Sequence, residues 1–310
     1  MNLDSSISIL KKLNIDGNIP TFSPISFGRN SQSFKISSDE DTYLLKSFRH
    51  HPDGLERFQR EKFCLNLGNR LNIQNMPRLI SWDESELQIL CEFIEGEQIT
   101  NPSLEFEDSL INFIVLLNSN SEFLKDCLNA KDAYLDDFNI FSDISQRISL
   151  ITNIVNTTYQ EEFQNIIKHF QNLKRKYPVD KLITYETQLF NKFQPVFSPS
   201  DVGIHNSLAK GDRFYFFDFE YSGMDSIVKL VLDYSSNPQN SQTSVNYSFI
   251  KCLDRSNFLP NSSNFLEWLL HLRNYFLVKW SLICLSACLK NSNDLEAYFN
   301  LKLSLSAIEY

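Results

Sequence analysis

Three oxygen-bearing side chains follow one another in the segment 197–218. Asp201 is followed five residues later by Asn206, and Asp218 comes directly after the apolar run RFYFF. Transfer of a phosphoryl group from a nucleotide to a hydroxyl needs a group that orients or deprotonates the acceptor. It also needs oxygen ligands that hold Mg²⁺ on the phosphates. A carboxylate, a carboxamide and a second carboxylate in this order therefore predict phosphoryl-transfer chemistry.

These three residues also have an ordinary structural explanation. Asp and Asn in loops commonly hydrogen-bond the backbone of turns, and Asp218 could cap a local element. The order of the chain favours the chemical interpretation, because a lysine-bearing strand, a glutamate-bearing helix and a hinge come first. His205 is interpreted as a packing or turn residue, since Asn206 next to it fills the metal position. Asp225 is interpreted as a brace for the loop that follows.

Lys46 is the predicted positive charge for the nucleotide phosphates, and Glu61 is its predicted partner. Lys46 lies in the alternating segment TYLLKSF, which predicts a strand, and Glu61 lies fifteen residues later in a predicted helix. Glu61 shares a helical face with Phe58 and Leu65, which points it inward. The alternative is a surface lysine and one of several exposed charges on that helix, namely Glu56, Arg57, Arg60, Glu61 and Lys62.

Two backbone segments could complete a nucleotide site. The turn that contains Gly28, Asn30 and Ser31 could cradle phosphates with its N–H groups, although most such turns are simple hairpins. The segment CEFIEGE at 91–97 reads as a strand that leads into a hinge. There the C=O of Glu92 and the N–H of Ile94 could hydrogen-bond adenine, although alone the segment is only an edge strand and a turn.

Composition and charge exclude several classes of protein. The chain has 310 residues, 42% of them hydrophobic and 22% charged, and a net charge of −9, which argues against a general nucleic-acid binder. Six cysteines without a CxxC pair indicate reduced thiols. The N-terminus does not read as a secretory signal. The most apolar stretch, 275–289, is too short to cross a bilayer and contains Lys279. We therefore expect a cytoplasmic protein without membrane insertion.

The hydrophobic pattern divides the chain into a β-rich and a helical part. Residues 24–48 and 79–97 predict strands, and a helix is predicted from an N-cap at Asp53 to about residue 67, with Gly68 as its stop. After about residue 102 the pattern is helical, apart from a β-rich segment at 196–220. This predicts an α+β protein with a nucleotide-binding lobe at 1–95 and a helical lobe at 96–310. The helical lobe would carry the catalytic and metal loops and the acceptor pocket.

In this order the motifs resemble the aminoglycoside phosphotransferase and choline kinase group of small-molecule kinases. The resemblance spans about residues 22–234 and is most specific at 197–225. The hinge CEFIEGE and the strand FFDFEYSG resemble that group more than protein kinases, in which Asp-Phe-Gly would be expected. The resemblance implies a bilobal protein kinase-like fold, with ATP or GTP and Mg²⁺ as cofactors.

The resemblance also implies roles for individual residues. Asp201 would be the catalytic base, Asn206 and Asp218 would be Mg²⁺ ligands, and Lys46 would bind the nucleotide phosphates with Glu61 behind it. This chain departs from the group at Pro199, two residues before Asp201, where a His is usual. That departure leaves open a changed loop geometry.

Two functions follow from these observations. The first is an ATP-dependent phosphotransferase that moves the γ-phosphate to a hydroxyl of a small molecule, such as an amino sugar, a sugar or an amino alcohol. Residues 1–95 carry 11 basic and 13 acidic side chains, and residues 96–310 carry 18 and 25, which favours a cationic or neutral acceptor. The alternative is a catalytically weak or inactive nucleotide-binding pseudokinase with a regulatory or interaction role. The sequence does not indicate the acceptor or the oligomeric state.

Overall fold

The computed structural model describes residues 21–27, 31–37, 41–49, 52–135, 140–178, 195–240, 263–291 and 294–308. The chain divides into two compact units. The first unit comprises Met1–Thr100, Asn112–Lys131 and Phe197–Met224, and the second comprises Asn101–Ile111, Asp132–Val196 and Asp225–Tyr310. The lobe boundary at 95/96 stays a prediction.

The first unit contains a five-stranded antiparallel sheet. Its strands are β1 (Thr21–Phe27), β2 (Gln32–Ser37), β3 (Thr42–Ser47), β4 (Leu79–Asp83) and β5 (Gln88–Glu92), and their spatial order is β1-β2-β3-β5-β4. Alternation places Ile36, Leu45 and Leu90 in one buried cluster, which fixes the register, because a one-residue slip would expose them. The strands predicted in 24–48 and 79–97 are confirmed.

Helix α1 (Gly54–Leu71) follows β3 and carries Glu61. The prediction that Gly68 ends this helix was wrong, because Asn72, with φ of 54°, forms the left-handed C-cap. Gly68 instead lies inside the helix, where a Cβ would be 2.2 Å from the sulfur of Met76. The absence of a side chain at Gly68 therefore serves packing. The predicted N-cap residue, Asp53, makes no side-chain cap hydrogen bond.

Short strands carry the segment around Asp201. Strands β6 (Glu97–Gln98), β8 (Ser207–Lys210) and β9 (Arg213–Phe216) form a three-stranded sheet, and β7 (Val196–Ser198) pairs with β10 (Gly223–Asp225). A 3-10 turn at Ile204–Asn206 leads into β8. Phe113 stacks on Phe216 at 4.9 Å between ring centroids and packs against Phe219 at 5.8 Å. These aromatic contacts anchor the chain on both sides of Asp218.

Helices dominate the remainder of the described chain. They are α2 (Leu104–Leu117), α3 (Ile140–Thr152), α4 (Gln160–Lys176), α5 (Ile227–Ser236), α6 (Ser263–Lys290) and α7 (Leu295–Ser306). Helices α3, α4, α5 and α7 all contact α6, which is therefore the central helix of the second unit. The predicted α+β architecture, with a β-rich N-terminal part and a helical C-terminal part, is confirmed.

Helix α6 contains the apolar stretch noted in the sequence. Its part Trp268–Lys290 is long and apolar enough to cross a membrane by length and composition, but 67% of that stretch is buried inside the protein. Lys279, within it, bonds to Asp233 at 2.8 Å. The prediction that the apolar stretch is too short to cross a bilayer was wrong, because the helix extends beyond 275–289 at both ends. Its packing against four helices places it in the core of the second unit.

Candidate active site

A cavity of about 570 Å³ lies in the first unit. Residues of β2, β3, β5, α1 and the segments 91–96 and 217–219 line it. Six of the residues that the sequence singled out are in this lining: Ser31, Lys46, Glu61, Glu92, Ile94 and Asp218. Strand, helix, hinge and the end of β9 therefore meet around one space.

Lys46 joins the two carboxylates of this cavity. Its ammonium donates to both carboxylate oxygens of Glu61, at 2.9 and 2.8 Å, and to Oδ1 of Asp218 at 2.7 Å. The side chains of Lys46 and Glu61 are 7% and 3% exposed, whereas that of Asp218 is 39% exposed. Lys46 thus contacts Glu61, its predicted partner on the helix. Of this trio of Lys46, Glu61 and Asp218, the most exposed side chain is Asp218, the predicted metal ligand.

Charge is unevenly distributed in this trio. Burial alone would lower the pKa of the Lys46 ammonium, but the carboxylates of Asp218 and Glu61 outweigh it, so the pKa is raised. Burial raises the pKa of Glu61 to about 7, against the opposing effect of Lys46. The carboxylates thus raise the pKa of Lys46 and burial raises the pKa of Glu61, so both groups hold their protons tightly. Two carboxylates contact one ammonium. A further cation would relieve this excess of negative charge.

The backbone brings Asp218 close to the Asn206 turn. After β9, the N–H of Phe217 donates to the C=O of Asn206 at 3.1 Å. Asp218 then adopts φ of 66°, a left-handed conformation that costs a residue with a Cβ about 1 kcal/mol. Such a conformation persists only where the surroundings enforce it, and here the bonds of Phe217 and Lys46 do so. The two predicted metal ligands therefore belong to adjoining, hydrogen-bonded segments.

Asp201 lies in a tight loop between β7 and β8. The amide nitrogen of Asn206 donates to the backbone C=O of Asp201 at 2.8 Å, so its side-chain oxygen is the atom left for a cation. Nε2 of His205 lies 3.2 Å from Oδ1 of Asp201. The interpretation of His205 as a packing or turn residue missed this contact. The Asp201 side chain is 38% exposed and therefore accessible to a substrate.

Two backbone N–H groups of the hinge segment 91–97 are hydrogen-bonded within the protein. The N–H of Glu92 donates to the C=O of Arg78 at 2.9 Å, and the N–H of Phe93 donates to the C=O of Thr42 at 3.3 Å. Lys35 bonds to Glu95 at 3.1 Å, and its ammonium lies 4.5 Å from the centre of the Phe93 ring. The hinge is thereby tied to the sheet. The predicted adenine contacts of Glu92 and Ile94 stay predictions.

The loop predicted to cradle phosphates is only partly described. Gly28 and Asn30 lie outside the described residues, whereas Ser31 lines the cavity at the start of β2. Asp225, predicted as a brace, accepts hydrogen bonds from the N–H groups of Tyr134 and Ser226, at 2.9 and 2.7 Å. Its carboxylate thus holds backbone of the second unit.

Sequence reasoning missed a second link between α1 and the chain around Asp218. Arg57, which was grouped with the exposed charges, is buried and donates to Glu220 at 2.7 Å. Its guanidinium carbon lies 4.6 Å from the centre of the Tyr221 ring. Arg57 precedes Glu61 by four residues, so both project from one face of α1. That spacing was the available signal for an inward-facing Arg57.

Several solved structures that are similar to this chain are small-molecule kinases. A choline kinase from Cryptosporidium parvum Iowa II matches with a TM-score of 0.62 at 15% identity, covering 99% of this chain and 95% of that one. A spectinomycin phosphotransferase in complex with ADP and spectinomycin matches with a TM-score of 0.60 at 12% identity, covering 98% and 97%. An ethanolamine kinase from Plasmodium vivax gives 0.55 at 15% identity, covering 95% and 84%.

These matches confirm the predicted bilobal protein kinase-like fold. They also confirm, at the level of structure, the resemblance to aminoglycoside phosphotransferases and choline kinases that the sequence motifs indicated. The sequence itself matches no family model and no curated protein. The likeness therefore lies in the fold and in the order of a few motifs.

Proposed function

We propose that this protein is an ATP-dependent phosphotransferase that moves the γ-phosphate of the nucleotide to a hydroxyl of a small molecule. The observation that carries the proposal is the Lys46 ammonium, which contacts both Glu61 and Asp218 on the wall of a 570 Å³ cavity. Three solved structures with the same fold are kinases of choline, ethanolamine and spectinomycin, and one of these three contains ADP. GTP is the alternative donor.

Lys46 and the hinge would bind the nucleotide. The ammonium of Lys46 would contact the α- and β-phosphates, and Glu61 would hold it in place. Apolar lining residues such as Leu44 and Phe219 offer surface for a base, next to the hinge groups of Glu92 and Ile94. Backbone of the turn around Gly28, Asn30 and Ser31 would cover the phosphates.

Asn206 and Asp218 suit Mg²⁺ because it prefers hard oxygen ligands and keeps one or two protein ligands when phosphates supply the others. Among the described residues no group of three or more His, Cys, Asp or Glu could hold a metal alone, in accord with a site that nucleotide oxygens complete. When bound, the ion would neutralise charge on the phosphates.

Asp201 would act on the acceptor. Its carboxylate would orient the hydroxyl and accept its proton as the hydroxyl oxygen bonds to the γ-phosphorus. The bond from the γ-phosphorus to the bridging oxygen breaks, and that electron pair leaves with the diphosphate. An amino sugar, a sugar or an amino alcohol is the acceptor class that we propose, because the helical part of the chain carries most of the negative charge. The cytoplasm, rich in ATP and Mg²⁺, is the proposed location.

A panel of acceptors tests the proposal. The purified protein is given ATP and Mg²⁺ with choline, ethanolamine, spectinomycin, other aminoglycosides and simple sugars, and ADP release is measured. We expect turnover with at least one acceptor and a loss of roughly 10²- to 10⁴-fold in Asp201→Ala. Calorimetric titration with ATP supplies the control for nucleotide binding. Tight binding without turnover across the panel would contradict the proposal and favour the non-catalytic alternative.

A further inference from the structure

We infer that His205 is a positioning residue that holds the Asp201 carboxylate for phosphoryl transfer. This role rests on the proposed function. The geometric observation is the 3.2 Å contact between Nε2 of His205 and Oδ1 of Asp201. A carboxylate that acts as a base can only accept a hydrogen bond, so the proposed role places the proton of this bond on Nε2 of the imidazole.

Both ends of Asp201 are held by neighbouring residues of one loop. The side-chain nitrogen of Asn206 fixes the backbone C=O of Asp201, and His205 fixes one carboxylate oxygen. Under the proposed function, Oδ2 would be the oxygen that accepts a hydrogen bond from the incoming hydroxyl. A base whose second oxygen is already bonded loses little rotamer freedom when substrate arrives, and positioning of this kind lowers a reaction barrier.

The loop itself is braced, so His205 reaches Asp201 without a regular helix. Ser200, directly before Asp201, has φ of 68°, and the N–H of Val202 donates to the C=O of Ser200 at 2.8 Å. The C=O of Gly203 then accepts from the N–H of Asn206 at 3.1 Å and from the hydroxyl of Ser207 at 2.7 Å. These bonds turn the chain back toward Asp201.

Burial makes the contact stronger than an ordinary surface pair. The His205 side chain is 21% exposed and the Asp201 side chain 38%, so water competes only partly for the bond. Contacts that are partly withdrawn from water are screened less than contacts on the open surface. Enough of Asp201 stays open for an acceptor to reach it.

Kinetics with paired substitutions test the inference. His205→Ala removes the donor, and we expect its kcat for ATP turnover to fall roughly 10- to 100-fold, since misplaced catalytic groups cost about that much. The KM for ATP should not change, because Lys46 and the hinge are intact. His205→Gln retains a side-chain N–H of similar reach, and we expect it to recover most of the activity. His169→Ala, at a half-buried histidine of α4, is the matched control.

A spectroscopic measurement tests the contact without catalysis. The chain has five histidines, so the imidazole ¹⁵N resonances of labelled protein can be assigned through the His205→Gln variant. We expect His205 to carry its proton on Nε2, and we expect this resonance to move in Asp201→Ala. Unchanged His205 resonances in Asp201→Ala would overturn the contact.

The outcomes separate the inference from the function on which it rests. A wild-type protein that turns over no ATP with any acceptor contradicts the proposed function, and the positioning role falls with it. An active wild type together with an equally active His205→Ala contradicts the positioning role alone. If His205→Ala raised the KM for ATP and left kcat unchanged, the positioning role would also be overturned, because that pattern indicates weaker nucleotide binding.

Discussion

Two buried clusters of charged side chains, one in each unit, differ in charge balance and in access. In the first unit a single ammonium, that of Lys46, bonds to the carboxylates of both Glu61 and Asp218. In the second unit Lys229 bonds to Asp225 and Asp233, both at 3.0 Å, and Lys279 bonds to Asp233 at 2.8 Å.

The second cluster is matched in charge and closed to solvent. Two ammonium groups face two carboxylates, and the most exposed side chain of the four, Asp233, is only 18% exposed. Burial alone would raise the pKa of Asp233, but the positive charges of Lys229 and Lys279 have a larger combined effect and lower this pKa to about 2. Because the positive and negative charges of this cluster balance each other, it can stabilise the protein but leaves no charge for a ligand to neutralise.

The first cluster has the opposite properties. It carries one more carboxylate than ammonium, and Asp218 is 39% exposed in the cavity. Uncompensated charge in a partly dry site costs stability unless a ligand neutralises it. Burial of charge is common to both clusters. A ligand site is therefore indicated by unequal numbers of carboxylates and ammonium groups together with solvent access, as in the first cluster.

The largest expected effect is a loss of catalytic activity after a substitution in the first cluster. Asp218→Asn keeps the shape of the side chain but removes its charge, and we expect kcat to fall roughly 10³-fold, or about 4 kcal/mol. Stability should change little, because Lys46 retains both oxygens of Glu61. Steady-state kinetics and urea unfolding on the same preparation measure the two quantities. A large loss of stability would mean that the first cluster is structural as well.

The next effect is on stability in the second cluster. Asp233→Asn leaves the buried ammonium of Lys279 without its carboxylate, and we expect a loss of about 3–5 kcal/mol in the free energy of unfolding. The measurement is urea unfolding followed by circular dichroism. Asp294→Asn, at an N-cap away from the cluster, serves as a control with the same chemical change. Equal stability of wild type and Asp233→Asn would remove the distinction between the clusters.

The smallest effect is a difference in pH dependence. Glu61 has a pKa of about 7 in the folded protein against an ordinary 4.5, so its contribution to stability is full below pH 4.5 and is lost as the pH rises to 7. Asp233, with a pKa of about 2 against 3.8, contributes above pH 3.8 and loses this contribution as the pH falls to 2.

Unfolding free energies of the nucleotide-free protein from pH 4 to 8 measure the contribution of Glu61, because Asp233 contributes throughout that range. In the wild type we expect a slope from Glu61 of no more than about 1.4 kcal/mol per pH unit. Glu61→Gln cannot titrate and should flatten the curve between pH 4.5 and 7. Parallel curves for the two proteins would show that burial does not perturb Glu61.

The sequence predicted those parts of the site that depend on regular elements. Lys46 and Glu61 were found because period-two and helical patterns assigned their strand and helix, and Asp218 because it ends an apolar strand. The contacts that were missed depend on loop conformation or on distant partners. His205 reaches Asp201 through the irregular loop that ends in the 3-10 turn Ile204–Asn206, and Arg57 contacts Glu220 at a separation of 163 residues. The helical spacing from Glu61 indicates that Arg57 faces inward, but neither the loop conformation nor the distant partner of Arg57 leaves a periodic signal in the sequence.

The bond between Lys46 and Asp218 has a consequence for ligand binding under the proposed function. Lys46 bonds to Oδ1 of Asp218 and so competes with a divalent cation for that carboxylate, and a nucleotide phosphate offers the ammonium a replacement. Each ligand therefore removes an obstacle to the other, and by linkage the two should bind with positive cooperativity. Magnesium alone should bind weakly to this protein, and ATP should bind more tightly as the magnesium concentration rises.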